Sequence, residues 1–424
     1  MSNDSPVRTM TDSDVVNALR AVPEIPARDL ADDVLDALVA DRLRAVPDLP
    51  CRDLADAILA RIPRPLPLYR RILRVAAALA VATGLAFGAE RLLRSPSDSA
   101  ADAPFAAADK PEDTVRQNAA EWLASRQRPD GSWDVASLGG RPGNAPALAG
   151  LALMALLDAG SPEYAGALQR GAEALTAMQR PDGRFGPDDE YAMYNQGIAT
   201  VALLRLLAAD AVSEETVRDS IDSAVACIRE AQNADGGWGY RPAGERRDSE
   251  SNASVAAWQI EALGLARDAG WADSRGNLRR GLFWLSRLTD DAGTVGYHRA
   301  GDVPSSRATT TAMGLACMSG AGRGIRGSDL LADRMAKGLE TLLNAPGAAS
   351  SANPYRDYFI ARAEAARGTV PDTAPLPATI AMRERLARTS VADGADRGSW
   401  NPADAYAQVG GRLYATALSS MAMR

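Results

Sequence analysis

The chain has 424 residues, a length that predicts two or three structural units, and a formal net charge of -7 at pH 7. Because nucleic acid phosphates require a basic binding face, this acidic balance argues against DNA or RNA as a partner. The cysteines Cys51, Cys227 and Cys317 lack the CxxC spacing of a metal site, and the latter two, within apolar helical segments, are expected to be buried free thiols.

The first segment, residues 1–67, contains an internal duplication. The sequence from Leu19 to Asp32 recurs 24 residues later, from Leu43 to Asp56. Each copy combines prolines with leucines at helical spacing, which predicts a turn followed by a short helix. Two interpretations stay open for this predicted cytoplasmic segment: a docking site for a cytoplasmic protein partner, or a solvated, partly helical tail.

An apolar stretch follows within residues 68–94. Fifteen residues from Val75 to Ala89 carry no charge, and flanking leucines extend the stretch to about the twenty residues that a bilayer requires. The sequence predicts a single transmembrane helix, with a soluble helix packed against the next domain as the alternative. Five arginines lie between positions 61 and 74 and only two follow the stretch. The positive-inside rule therefore predicts a single-pass protein of the cell membrane, with a cytoplasmic N-terminus and an extracytoplasmic C-terminal domain.

Residues 95–111 are rich in Ser, Asp, Ala and Pro and are expected to form a flexible linker. From residue 112 onward, a turn motif recurs at a nearly constant interval. Its clearest copies are Gln127–Trp133, Gln179–Phe185 and Gln232–Gly239. The glycines that mark six copies are 52, 53, 57, 54 and 51 residues apart; they are Gly131, Gly183, Gly236, Gly293, Gly347 and Gly398. Such a period indicates one supersecondary unit that buries its apolar face only against its neighbours.

Each interval predicts two helices, one that ends at the turn and one that follows it. In the first copy, a helix ends near Arg126 and a second covers Ala145–Leu157. Six such hairpins can stack as an open solenoid or close into a ring. Closure is favoured because six hairpins complete a double-layered helical barrel. The expected fold for residues 112–424 is therefore all-α, a closed six-hairpin α/α toroid.

The segment Trp122–Trp133 resembles the QW motif of the squalene-hopene cyclases and of the prenyltransferase repeat superfamily. The resemblance covers roughly residues 112–424, and four further blocks carry it: Met193–Thr200, Ser254–Gln259, Ser305–Thr311 and Gly410–Thr416. Within the superfamily, the chain looks most similar to bacterial membrane-anchored proteins with prenyltransferase and squalene oxidase repeats. The resemblance implies a terpenoid cyclase-like toroid, whereas an activity requires a site of its own.

The catalytic groups that the resemblance would require are missing from the sequence. Protein prenyltransferases hold zinc with Asp, Cys and His, but the one histidine here, His298, has no cysteine near it. It is expected at the protein surface. Class II terpene cyclases use a strong acid in a DxDD motif, which this chain lacks. We therefore predict no catalytic residue, no metal and no cofactor, and a binding protein rather than an enzyme.

A binding site is predicted where the second helices of the hairpins begin. If these helices form the inner wall, their N-termini converge at one mouth, and their unpaired N–H groups favour an anionic or strongly polar ligand. Helix capping explains most Ser, Asn and Asp residues there, but it does not require Tyr or Arg. The predicted ligand-binding residues are Tyr194, Gln196, Asp248, Arg307, Tyr358 and Arg412. The nearby Trp258 and Gln259 are expected to pack in the wall.

Three functions are compatible with this sequence. The first is a membrane-anchored extracytoplasmic toroid that binds a small molecule, lipid, glycan or peptide. The second is a terpene-cyclase-like enzyme whose reaction the residues do not specify. The third is an envelope scaffold or regulator that acts through its cytoplasmic segment. The first is preferred because the sequence predicts a concave, polar mouth but lacks a nucleophile–base pair, an acid motif and a metal set.

Overall fold

The computed structural model describes residues 112–242, 250–302, 306–345, 351–367 and 375–424. The chain divides into a unit from Met1 to Ala103 and a unit from Pro104 to Arg424, and every described residue lies in the second. The predicted cytoplasmic segment, transmembrane helix and linker therefore lie outside the described residues. In the part of the chain that is described, no helix is both long and apolar enough to span a bilayer.

The described residues form twelve α-helices, numbered here in chain order. They are α1 Glu112–Ser125, α2 Ala145–Ala159, α3 Ala165–Ala177, α4 Ala192–Ala208, α5 Glu214–Glu230, α6 Ala253–Asp268, α7 Arg275–Arg287, α8 Arg307–Ser319, α9 Ser328–Leu343, α10 Pro354–Arg367, α11 Pro377–Thr389 and α12 Ala405–Ala422. Extended pairing within these ranges is limited to three isolated β-bridges inside the turns. The all-α expectation is confirmed.

The even-numbered helices form a closed inner ring. Each packs against the next, from α2 through α4, α6, α8 and α10 to α12, and α12 packs back against α2. The odd-numbered helices lie outside, with α1 on α12 and each of the others mainly on the even helix that precedes it. The six predicted hairpins are thus present, and they close into a toroid rather than an open solenoid.

The two layers follow from different sequence patterns. The inner helix α2 is apolar on all sides, and every residue from Pro146 to Leu156 is buried. An inner helix needs this pattern because it contacts two ring neighbours and an outer helix. The outer helix α5 is amphipathic, and it buries Val217, Ile221, Ala224 and Ile228 at helical spacing while its other face is charged.

The turns are held by a pair of hydrogen bonds that we call the turn lock. In the third copy, the Gln232 amide donates to the carbonyl oxygen of Gly236 in its own turn at 2.8 Å. The same amide donates to the carbonyl of Asn277, on α7 of the next hairpin, at 2.9 Å. Gln127 and Gln179 make the equivalent pairs, to Gly131 and Ala167 and to Gly183 and Ser220. Each lock therefore ties one turn to the neighbouring outer helix.

The turn tryptophans complete this arrangement. The Trp238 indole donates to the Ile228 carbonyl on α5 at 2.8 Å, and its ring is fully buried against Gly281 of α7. Gly236 has φ of +94°, and a Cβ there would lie 2.8 Å from the Arg280 carbonyl oxygen. Only glycine satisfies both the left-handed conformation and this close approach.

Replacing Trp238 with Ala should lower the free energy of unfolding by about 3–5 kcal/mol, because it empties a buried aromatic site and leaves the Ile228 carbonyl unpaired. Urea unfolding followed by circular dichroism measures the change. The matched control is Trp271→Ala, since this ring is only partly buried and should cost less. Equal losses in the two variants would contradict the turn-lock role of Trp238.

Candidate functional site

Tyrosines from several repeats gather where the inner helices begin. Tyr194 lies in the first turn of α4 and Tyr355 in the first turn of α10, while Tyr240 and Tyr297 follow the third and fourth turns. We call the cluster the tyrosine mouth; its members are Tyr194, Tyr240, Ser254, Tyr297, Tyr355, Tyr406 and Tyr414. Tyr406 is 61 % exposed, whereas the other five tyrosines are half-buried. Rings that remain partly open to solvent are available to a ligand.

Hydrogen bonds connect this cluster across the ring. The hydroxyl groups of Tyr194 and Ser254 are 2.6 Å apart, and that of Ser254 lies 3.0 Å from the Tyr355 hydroxyl. On the neighbouring loops, the Tyr240 and Tyr297 hydroxyls are in contact, and the Tyr240 ring centroid lies 6.0 Å from that of Tyr194. Since α4 and α10 are three positions apart in a ring of six, these contacts bridge opposite walls.

Stacked aromatic rings close the bore beneath the mouth. Trp258 and Tyr358 stack nearly parallel, with centroids 5.7 Å apart, and Phe359 meets Trp258 edge-on. The Trp258 indole donates to the Tyr355 hydroxyl at 2.9 Å, which joins this floor to the mouth. Beyond the floor, Arg362 forms an ion pair with Glu261 and lies over the Tyr358 ring. The interior therefore ends in a packed layer rather than an open channel.

The surroundings keep the phenols neutral. Burial raises the pKa of Tyr194, Tyr297 and Tyr355 above the ordinary value, and the neighbouring tyrosine hydroxyls raise it further. Burial also raises the pKa of Tyr414, followed by the negative charge of Asp404. The mouth therefore presents uncharged rings and hydroxyl groups over the physiological pH range.

The six residues predicted from sequence have different positions. Tyr194 belongs to the mouth, and Tyr358, only 2 % exposed, belongs to the floor. Gln196 is buried in the wall, where its side-chain amide oxygen Oε1 accepts the Phe185 backbone N–H at 3.0 Å. Asp248 lies outside the described residues. Whether any of these residues binds a ligand stays a prediction.

Arg307 is the first residue of α8, whereas Arg412 directly follows the non-helical Gly411 within α12, and both support the preceding loop. Arg307 donates to the Gly301 carbonyl at 2.8 Å. Arg412 donates to Ser399 and Asn401 at 3.0 and 2.7 Å, and lies 3.5 Å from the Asp396 carboxylate. The hydrogen bonds of these two guanidinium groups thus go to loops rather than to Tyr194.

Sequence reasoning missed several members of the mouth. Tyr240 and Tyr297 each follow a glycine shortly after a turn motif, so the repeated Gly-Tyr pair was an available signal. Ser254 begins the block Ser254–Gln259 that resembles the superfamily, but nothing in that block indicates a place in the mouth. No sequence pattern indicated Tyr406, which lies in the short helical segment before the non-helical Gly411 that kinks α12.

The expectation that His298 lies at the surface needs correction. Its side chain is only 27 % exposed, and its Nδ1 lies 2.9 Å from the Ser251 carbonyl oxygen. Asp302 holds this loop by accepting the backbone N–H groups of Tyr297 and His298. As expected, Gln259 packs in the wall, where it donates to the Met193 carbonyl at 2.8 Å.

A concavity of about 300 Å³ lies between the second turn and the C-terminal end of α5. Its lining includes Phe185, Met193 and Cys227. The Cys227 thiol donates to the Asp182 carbonyl, and burial raises its pKa. Cys317 is fully buried, and burial raises its pKa to about 12. Both thiols are free and unreactive at neutral pH, while Cys51 lies outside the described residues.

Comparison with known proteins agrees with this architecture. The family profile described as the squalene-hopene cyclase C-terminal domain matches residues 192–304. The resemblance to the prenyltransferase and squalene cyclase repeat superfamily is confirmed. No curated protein sequence matches the chain. Over the described ranges, no group of three His, Cys, Asp or Glu side chains is arranged to hold a metal ion.

Solved structures share the fold at low sequence identity. The GH76A alpha-1,6-mannanase from Salegentibacter sp. HEL1_6 is 12% identical, with a TM-score of 0.55 over 74% of this chain and 98% of that chain. An inactive variant of this mannanase in complex with alpha-1,6-mannotriose is 12% identical, with a TM-score of 0.53 over 74% of this chain and 99% of that chain. The type II terpene cyclase MstE from Scytonema is 15% identical, with a TM-score of 0.48 over 73% and 97%. The mannanase comparisons establish a shared toroid fold. They do not assign an activity to this chain.

The floor residue Tyr358 should affect the alkaline stability of the protein. Burial, opposed by Arg362 and reinforced by Glu261, raises its pKa from 10.0 to about 12. Because the folded state favours the neutral phenol, the contribution of Tyr358 to the free energy of unfolding is complete below pH ~10 and is lost as the pH rises toward about 12. The free energy of unfolding should therefore fall more steeply over this interval in the wild type than in Tyr358→Phe. Parallel pH profiles would contradict this assignment.

Proposed function

We propose that the toroid is a ligand-binding domain and that the tyrosine mouth is its binding site. The observation that carries this proposal is the gathering of six tyrosines and Ser254 above a closed aromatic floor. If these rings served only for packing, phenylalanine would fill the same positions equally well, because it needs no hydrogen-bond partner. A concave surface with aromatic faces and a few convergent hydroxyl groups is instead typical of small-molecule sites.

The lining suits a ligand with both apolar and hydrogen-bonding faces. Lipid headgroups, glycans and peptides all meet this description, because a tyrosine offers a ring for stacking and a hydroxyl for hydrogen bonding. The mannanase of the same fold was captured with an oligosaccharide, which supports a glycan as the first candidate to test. The fold alone does not transfer that ligand to this chain.

Binding without hydrolysis is the preferred form of this function. Glycoside hydrolysis uses two carboxylates that flank the scissile bond. Two described carboxylates beside the tyrosines already accept backbone N–H groups: Asp302 from Tyr297 and His298, and Asp404 from Tyr406 and Ala407. A terpene-cyclase-like enzyme and an envelope scaffold remain as alternatives. A co-purifying isoprenoid would favour the former.

Mass spectrometry of small molecules and glycans released from the purified full-length chain tests the proposal, with alpha-1,6-mannotriose as an added probe. Tyr194→Phe and Tyr355→Phe should each weaken ligand retention about tenfold, because each removes a hydroxyl from the mouth and keeps the ring. Tyr164→Phe, on the outer wall beside Gln117, is the matched control. Retention that is unchanged in both mouth variants would overturn the binding role.

We also propose that the toroid is displayed outside the cytoplasm by a single transmembrane anchor. The support is the uncharged stretch Val75–Ala89 with its excess of preceding arginines, which lies outside the described residues. A reporter fused after Arg424 should be active only in the extracytoplasmic space, and one fused before Met1 only in the cytoplasm. Cytoplasmic activity of the C-terminal fusion, or release of the chain by a carbonate wash, would rule out this topology.

A further inference from the structure

The concavity between the second turn and α5 is separate from the tyrosine mouth. Its volume of about 300 Å³ is at the lower end of the range of small-molecule sites, which is roughly 300–1,000 Å³. None of the mouth residues is in its lining, which comes from the second turn region, the start of α4, the end of α5 and Pro242. The concavity is therefore a candidate for a binding site of its own.

The bottom of this concavity is apolar. Phe185, Met193 and Ala231 line it, and each of them is at most 5 % exposed. Gln196 also lines it, but both ends of its side-chain amide have partners. Its Oε1 atom accepts the Phe185 backbone N–H, and its Nε2 atom donates to the Ala224 carbonyl at 3.2 Å. The bottom consequently offers an apolar surface that a ligand can cover.

Charged side chains lie at the exposed edge of the lining. Asp182 and Asp188 are both bound by Arg180, at 2.9 and 2.8 Å, and the Arg184 guanidinium lies 3.2 Å from Asp188. Glu230, in contrast, is exposed and has neither a hydrogen bond nor an ion pair within the described ranges. It is the carboxylate of this described edge that no arginine neutralises.

The position of Glu230 in its helix is unfavourable. Glu230 is the last residue of α5, and a helix C-terminus is the negative end of the helix dipole, where basic residues stabilise and carboxylates destabilise. Arg229 beside it and Arg287 at the end of α7 follow this rule. The charge of Glu230 also reaches the lining, because it adds to the effect of burial in raising the pKa of the Cys227 thiol. Residues that break a local rule without compensation are expected at functional sites.

An apolar bottom with an unneutralised carboxylate at its edge matches an ammonium group on an aliphatic stem. The stem covers the apolar surface, while the ammonium group at its end stays close to water. We propose that this concavity binds such a ligand, with Glu230 as the counter-ion of the ammonium group. The ligand is a free alkylamine or the side chain of a lysine in a peptide, and the experiment separates these two sources. The inference does not depend on the binding role of the tyrosine mouth.

Pentylamine and 1-pentanol provide a matched pair of probes, because they share an aliphatic stem and differ in charge at neutral pH. Nuclear magnetic resonance of the full-length chain, with isotope-labelled methionine methyl groups, measures binding at Met193. Met154, fully buried in α2, is the internal control. Pentylamine should shift the Met193 signal and bind about three- to tenfold more tightly than 1-pentanol, as expected for one exposed ion pair. The difference should shrink as salt is added.

Two variants test the two parts of the proposed site. Glu230→Gln should remove the difference between the probes, because it keeps the shape of the side chain and removes its charge. It should not lower the melting temperature, since a negative charge leaves the C-terminal end of a helix. Asp219→Asn, exposed in the middle of the same helix, is the matched control and should behave as the wild type. Ala231→Leu should prevent binding of both probes by filling the concavity.

An acetylated and amidated Gly-Lys-Gly peptide, compared with the same peptide carrying norleucine, identifies the source of the ammonium group. Binding of the lysine peptide alone of these two would indicate a peptide side chain, and binding of pentylamine but neither peptide would indicate a free amine. Equal affinity for pentylamine and 1-pentanol, no shift at Met193 with either, a preference for pentylamine that survives in Glu230→Gln, or unchanged binding in Ala231→Leu would overturn the inference.

Discussion

The toroid depends on the amide groups of its turn glutamines. Each of these amides donates to two backbone carbonyls, one in its own turn and one on the outer helix of the next hairpin. This geometry fixes the distance between successive hairpins to within a hydrogen bond. An apolar replacement would leave two carbonyl groups without partners, which costs more than the bonds contribute in net terms. The first three turns are held in this way.

The later repeats reach the same spacing by other means. At the fourth turn, Thr289 replaces the glutamine, and Arg334 on α9 donates to the Asp290 carbonyl at 3.0 Å. Between the fifth and sixth hairpins, the buried Asp357 on α10 lies 2.8 Å from Arg385 on α11. At the closing seam, Trp122 on α1 donates to Asp396 at 3.2 Å. At the fourth turn and at the closing seam, the link between a turn region and the next outer helix is thus kept although its residues change, whereas the sixth outer helix is tied to the inner helix α10.

Closure brings the residues of the tyrosine mouth together. The tyrosine mouth needs α4 and α10 to face each other, and that relation exists only once the ring is complete. The floor below it also joins side chains from different hairpins, since Trp258 comes from α6 and Tyr358 from α10. The Glu261–Arg362 ion pair adds a further contact between the same two helices, α6 and α10. The rim of the mouth at Tyr406 remains open to solvent.

The sequence by itself determined the period, the helix pairs and the turn motif, because these depend on local signals. Asp-Gly turns stop helices, and runs such as Ala145–Leu157 are apolar on all sides. Each hairpin repeats the same signals, so a weak signal in one copy can be recognised from its position relative to the other copies. The resemblance of the QW segment to a known repeat superfamily rested on the same local pattern. The all-α toroid was therefore predictable without knowledge of any long-range contact.

Only the tertiary structure decided the composition of the mouth. Arg307, Arg412 and Gln196 were reasonable ligand residues in the sequence, but the two arginines bond to loops of their own repeats, and Gln196 bonds to its own turn and to Ala224 on α5. Tyr240 and Tyr297 belong to the mouth through the contact of their hydroxyl groups and the packing of Tyr240 on Tyr194, which the periodicity does not specify. Convergence depends on the direction of each side chain at the end of a closed ring. That direction is set by packing between hairpins that lie far apart in the chain, which local sequence signals do not encode.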